Sequence, residues 1–193
     1  MTFQLVDLGG AACGKDCPLA ITADGVIEPE TPEAFLEFAR QAATSPRLRS
    51  VVFLNSPGGN VVASMELGSI FRKLHVAAIV GRYDHGEADA AGTAMTGQCI
   101  SACVYAMMGA VRRIAPPGSR VGLHRMSIVE HGVFTTSRSF ADPELVAVLS
   151  RYAQRMGVRR GLVQLAESLS PDIVHLLTRR EMTHWRLATA QFN

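Results

Sequence analysis

The sequence predicts an α/β domain, and three observations carry that prediction. The short apolar runs Val51–Leu54 and Val76–Val80 read as strands buried on both faces of a sheet. Segments of helical periodicity separate the strands, as parallel crossover connections require. Helical patterns then dominate the last third, from Asp142 to Leu177, with breaks near Gly157 and Ser170-Pro171. A chain of 193 residues is the size of one domain and can bury a core without metal or disulfide support. Its 48% hydrophobic and 19% charged content excludes a disordered chain. The net charge is +2, with basic and acidic side chains well mixed, so no nucleic-acid partner is implied. No apolar run approaches the roughly 18 residues of a membrane span.

In order along the chain, Phe3–Leu8 reads as a first strand, Cys13–Pro18 as a tight turn and Leu19–Thr22 as a second strand. Asp24-Gly25 marks a turn. Thr31-Pro32 opens a helix, because Thr can cap and Pro suits the first helical position. Ala34, Phe35, Phe38, Ala39 and Ala42 share one face of it. A second helix is predicted over 60–74, with Val62, Met65, Ile70 and Leu74 inward. The stretch 83–97 reads as a surface loop, in which His85, Glu87 and Asp89 are better taken as polar surface than as metal ligands. Ser101–Ala110 suits a buried helix of small and apolar residues. Val111–Ile114 and Val121–His124 read as strands around a Pro116-Pro117-Gly118 turn. The doublets Arg112-Arg113, Arg159-Arg160 and Arg179-Arg180 read as solvated.

Three segments carry possible chemistry. Asn55-Ser56-Pro57-Gly58-Gly59-Asn60 lies between a buried strand and a helix, where two glycines allow positive φ and exposed amides favour negative charge. An oxyanion hole needs this local structure, although an ordinary tight turn would look the same. Gly97-Gln98-Cys99-Ile100-Ser101-Ala102-Cys103 puts Ser101 at a helix start, where a serine is most often a cap. The surrounding sequence is not the G-x-S-x-G elbow of α/β-hydrolases. Gly122-Leu123-His124 ends a strand with a histidine able to act as a general base.

Taken together, the order strand–SPGG–helix, strand–loop–Ser–helix and strand–turn–strand–His resembles the Clp protease proteolytic subunit and the wider ClpP/crotonase superfamily. The motifs are Asn55-Ser56-Pro57-Gly58-Gly59, Gly97-Gln98-Cys99-Ile100-Ser101 and Pro117-Gly118-Ser119-Arg120-Val121-Gly122-Leu123-His124. The Cys-x-Ser-Ala-Cys form is closer to bacterial, predicted periplasmic ClpP-like proteins than to the Clp subunit itself. The resemblance spans about residues 19–187. It implies a spiral of β-β-α units across a single domain, 1–193. That domain would comprise an N-terminal extension (1–18) and a helical oligomerisation segment (140–177).

The resemblance further implies Ser101 as nucleophile, His124 as base, and amides of Gly58, Gly59 and Ala102 as the oxyanion hole. Where it places the third triad member, an Asp, this chain has Val174; Asp172 lies two residues earlier. The family's G-L-[IV]-D ending is replaced by Arg186-Leu187-Ala188-Thr189. Signal peptide peptidase A, in the same superfamily, uses a lysine base, and this chain has only Lys15 and Lys73. The implied function is a serine hydrolase, a peptidase acting on peptide or protein, without cofactor or metal and without an ATPase partner. Alternatives are a catalytically inactive binding or assembly protein, and a crotonase-like acyl-CoA enzyme. The implied assembly is a homo-oligomer.

Four cysteines, Cys13, Cys17, Cys99 and Cys103, form two pairs of equal spacing and admit three disulfide connectivities, a tetrathiolate site or four free thiols. Paired cysteines favour an oxidising compartment such as the periplasm. Met1-Thr2-Phe3-Gln4 has no signal-peptide character, which favours the cytoplasm.

Overall fold

Six helices and eleven strands alternate through most of the computed structural model, which describes residues 1–9, 16–84, 93–131 and 136–189. The first half runs β1 (Thr2–Asp7), β2 (Leu19–Asp24), α1 (Thr31–Ala42), β3 (Leu48–Asn55), α2 (Val61–Lys73) and β4 (Ala77–Asp84). Then come β5 (Thr93–Thr96), β6 (Gln98–Ile100), α3 (Cys103–Gly109), β7 (Arg112–Ile114) and β8 (Arg120–Leu123). The chain continues through β9 (Ser127–His131), β10 (Thr136–Phe140), α4 (Pro143–Arg155), α5 (Gly161–Ser168), β11 (His175–Leu176) and α6 (Arg179–His184).

The main sheet has the order β1-β2-β3-β4-β5, with β7 also paired to β4. Its centre is parallel: β2 with β3, β3 with β4 and β4 with β7. Val52 and Leu54 in β3, and Ala78 and Val80 in β4, share one face of the sheet and are almost completely buried; on the other face Phe53 is buried, while Val51 and Ile79 are only partly covered. A smaller sheet, β11-β8-β6, carries the segments of chemical interest, and β9 and β10 form a hairpin. The parallel bridge Ser56–Cys99 joins the end of β3 to β6.

Helix α1 buries Phe35 and Ala39 as its periodicity predicts, and Phe35 stacks edge-on with Phe3 and Phe71. Helix α2 turns a different face inward from the predicted one. Ala63, Ser64, Leu67, Gly68 and Phe71 are buried, whereas Val62 is 49% and Leu74 41% exposed. Packing against α3 decides this. A Cβ on Gly109 would collide with the Gly68 backbone, so the two helices meet main chain to main chain. The predicted loop 83–97 contains β5, antiparallel to β4; His85, Glu87 and Asp89 lie outside the described residues. The helical stretch expected to reach Leu177 ends at Ser168, and β11 then pairs with β8 before α6. Arg113 is another correction. It is 4% exposed, and its guanidinium donates to five carbonyls.

Helix α6 opens with a capping box. Thr178 Oγ1 accepts the Glu181 N–H at 3.2 Å, and Glu181 Oε2 accepts the Thr178 N–H at 2.7 Å. The Thr178 hydroxyl also donates to Oε2, and Oε1 lies 2.8 Å from His175 Nε2. These bonds, those from Thr178 foremost, lower the Glu181 pKa to about 2. A depressed carboxylate adds stability above its unfolded pKa and loses it as pH falls through the folded one. Its contribution should therefore disappear between about pH 4.5 and 2. Glu181→Gln should flatten the fall in melting temperature across that window; an unchanged acid limb would argue against the assignment.

Candidate active site

The first wall of the site is the turn after β3. Asn55 Nδ2 donates to Asp24 Oδ2 at 2.8 Å, and Asn55 Oδ1 accepts the Gln98 N–H at 2.9 Å. Ser56 is fully buried, donating its N–H to Gln98 O and accepting the Ile100 N–H. These bonds fasten the end of β3 to the strand leading into Ser101. Gly58 and Gly59 then adopt φ of 113° and 138°, which disfavours side chains. A Cβ on Gly58 would stand 2.8 Å from Ile100 O and 3.0 Å from Ser101 Cβ, so the turn lies directly against the serine.

The Gly58 N–H is engaged by Ser56 Oγ at 3.1 Å. Among the described residues the Gly59 N–H has no acceptor. Asn60 closes the turn by capping α2 through Oδ1 to the Ala63 N–H.

Ser101 itself follows β6. Its N–H donates to Gly122 O at 2.8 Å, and its carbonyl accepts the Val104 N–H. Its φ is 56°, a left-handed conformation costing a non-glycine residue about 1 kcal/mol or more. Helix α3 begins only at Cys103 with Ala102 as its N-cap, so Ser101 sits before the helix and does not cap it. Among the described residues its hydroxyl makes no hydrogen bond, and the Ala102 N–H has no acceptor. Among the described residues the two segments thus hold an unused hydroxyl and two unused amides, those of Gly59 and Ala102.

A disulfide brackets this turn. Cys99 in β6 and Cys103 at the start of α3 are bonded, with Cα atoms 5.2 Å apart, and both are fully buried. Cys17 is also disulfide-bonded, and since Cys99 and Cys103 bond each other, a cross-link from it to that pair is excluded. Cys13 lies outside the described residues.

His124 follows β8, which runs parallel to β6 with Ile100 opposite Gly122. Ser101 and His124 therefore emerge at the same end of adjacent strands. His124 is half-buried, and its Nδ1 lies 2.8 Å from Arg125 O. A carbonyl can only accept, so Nδ1 carries the proton and the Nε2 lone pair is free. No hydrogen bond joins Ser101 and His124 among the described residues.

Among the described residues Asp172 makes no hydrogen bond to His124. Its Oδ1 is 2.8 Å from Arg138 Nη2, and that hydrogen bond lowers its pKa. Continuing the antiparallel register of His175 with Leu123 puts Val174 opposite His124, an apolar side chain where the resemblance called for a carboxylate. Sequence reasoning missed Glu167 of α5, whose Oε1 accepts the Met126 N–H at 3.5 Å and whose Oε2 lies 3.9 Å from Arg125 Nε. Of the two lysines, Lys73 is exposed in the last turn of α2 and Lys15 lies outside the described residues. No cluster of metal-ligating side chains exists among the described residues, and none of their helices is long and apolar enough to cross a membrane.

No protein-family profile matches the chain, and no curated relative matches it in sequence. Its architecture is similar to solved structures. A serine-to-alanine mutant of the 1510-N membrane-bound stomatin-specific protease superposes with a TM-score of 0.60 at 18% identity, covering 88% of this chain and 76% of that one. A lysine-to-alanine mutant of the same protease, in complex with a substrate peptide, gives 0.59 at 18% identity over 88% of this chain and 72% of that one. With the strand order and helical crossovers described above, the chain has the mixed α/β fold of the ClpP/crotonase-like proteases.

Proposed function

We propose that the chain is a serine hydrolase, specifically a peptidase, with Ser101 as nucleophile and His124 as general base. The observation that carries this reading is the Ser101 turn. It is conformationally strained, and among the described residues its hydroxyl serves no hydrogen bond and the amides of Ala102 and of Gly59 in the facing turn have no acceptor. Strain of this kind persists where surrounding structure imposes it, typically at functional sites.

In the reaction, the Ser101 hydroxyl proton passes to His124 Nε2 while Oγ attacks the acyl carbon. The resulting oxyanion accepts hydrogen bonds from the Gly59 and Ala102 amides. Collapse expels the amine, which takes the proton back from Nε2 and leaves an acyl-enzyme. Water, deprotonated by the same nitrogen, then hydrolyses the ester. Gly58 supports the turn through its bond to Ser56 rather than donating to the oxyanion. The peptide substrate follows the peptide complex of the structurally similar protease. Homo-oligomer formation belongs to the same proposal, supported by the exposed apolar side chains Phe140, Ile173 and Leu176. An oxidising compartment such as the periplasm is supported by the buried disulfide.

A fluorophosphonate probe should modify the wild-type protein at Ser101 alone, and Ser101→Ala should abolish the adduct in an intact-mass measurement. A second reading, a binding protein without catalysis, draws on there being no carboxylate hydrogen-bonded to His124 among the described residues. No adduct between about pH 6 and 9, the range in which histidine bases act, would favour it.

A further inference from the structure

We propose that Glu167 is a positioning residue for His124: it holds the Arg125–Met126 segment so that the Arg125 carbonyl keeps the imidazole in its Nδ1–H form. The inference rests on the reading of His124 as the base, and it supplies what Asp172 and Val174 do not.

The geometry is a short chain of contacts. His124 Nδ1 donates to Arg125 O, so the tautomer depends on where that carbonyl points. Beyond β8, regular strand pairing no longer fixes the backbone; the Arg125 N–H donates to Ser170 O at a long 3.4 Å. Glu167 reaches the two following residues with its two oxygens: Oε1 accepts the Met126 N–H at 3.5 Å, and Oε2 lies at ion-pair distance, 3.9 Å, from Arg125 Nε without a hydrogen bond. The guanidinium is held on its other side by the Phe140 ring, 4.1 Å from the ring centroid. Glu167 thus contacts both Arg125 and Met126.

Its surroundings agree. The Glu167 side chain is only 15% exposed, and burial raises its pKa, opposed by the Met126 amide and by the charges of Arg125 and His124. Tyr105 of α3 feels it as well: its buried hydroxyl has no hydrogen-bond partner among the described residues, and the Glu167 charge adds to the burial that raises its pKa. A half-buried carboxylate costs free energy to retain unless it is paired, and its partners here are the groups that fix the histidine backbone. The usual triad carboxylate bonds the imidazole directly. In this chain a carbonyl does so, with the carboxylate one step behind it.

The test is ¹⁵N imidazole NMR of His124 in the wild type, Glu167→Gln and Glu167→Ala, read beside fluorophosphonate labelling rates and melting temperatures. The wild type should show a single Nδ1–H tautomer. Glu167→Ala should show a mixture with the Nε2–H form and label Ser101 about tenfold more slowly, given the hundredfold or greater worth of a general base. Glu167→Gln retains an oxygen for Met126 and should restore most of the Nδ1–H signal. An unchanged tautomer in both variants overturns the inference, whatever their melting temperatures. If tautomers shift as stated but no variant, wild type included, is labelled, the positioning role stands and the hydrolase reading falls.

Discussion

His124→Ala should slow modification of Ser101 by about a thousandfold, the middle of the range for loss of a general base. A serine hydroxyl at neutral pH is almost wholly protonated, and nothing else bonded in the Ser101 turn can take its proton. Its neighbours there are backbone N–H groups, which only donate, and carbonyls, which are too weakly basic to take a proton. Removing the base leaves the oxyanion donors and the strained turn intact, so residual reactivity survives, as in other hydrolases stripped of one member. A thousandfold loss is about 4 kcal/mol of transition-state stabilisation. Little of it should appear as instability: His124 is half-buried, and its one hydrogen bond is to its neighbour's carbonyl. Labelling rate and melting temperature measured on the same samples separate the two effects. Equal rates in wild type and His124→Ala would remove His124 from the mechanism.

Arg113→Met should cost on the order of 4 kcal/mol of folding stability, far more than a surface arginine. The buried guanidinium donates from Nε to Leu187 O at 2.7 Å and from Nη1 to Met108 O, Ala110 O and Met156 O. From Nη2 it donates to Arg186 O at 3.0 Å. It therefore joins the end of α3, the end of α4 and the chain after α6 at one point. Burial foremost, and the neighbouring Arg72 charge, lower its pKa to about 10, a sign of what retaining the cation costs. Methionine keeps most of the volume but strands the carbonyls, each worth about 1–3 kcal/mol when buried without a donor. Arg113→Lys should recover little, since one ammonium cannot reach five carbonyls spread across a planar fork. Chemical denaturation gives the number; a loss under about 1 kcal/mol would mean that water replaces the guanidinium.

The central part of the fold was legible because it is written in a few adjacent residues. Val51–Leu54 forms its strand, the two glycines after Pro57 take positive φ, and His124 follows its strand, whereas Ser101 stands before the helix it was expected to open. Features that depend on distant partners were not legible. The buried face of α2 follows Gly68 meeting Gly109, and hydropathy gives small residues no weight in choosing a face. Arg113 reads as solvated until the carbonyls of residues 186 and 187 fold back onto it. Strand β11 is two residues long and exists only through β8. Glu167 looks like any polar helix residue, because its partners Arg125 and Met126 are some forty positions earlier. Gly58 shows a finer limit. Sequence marks both glycines of the turn, while only the Ser56 hydroxyl decides which amide stays available.

The bond between Cys99 and Cys103 also acts where no folded structure exists. It joins residues only four apart and encircles Ser101, so it outlasts denaturation in non-reducing conditions. By chain-entropy arithmetic a ring that small lowers the disorder of the unfolded ensemble by an amount worth about 2 kcal/mol. The unfolded polypeptide thus already carries Ser101 inside a closed loop. In the conformational search the neighbourhood of Ser101 starts partly solved, and what folding must find is the approach of the Gly58-Gly59 turn and of the histidine strand to it.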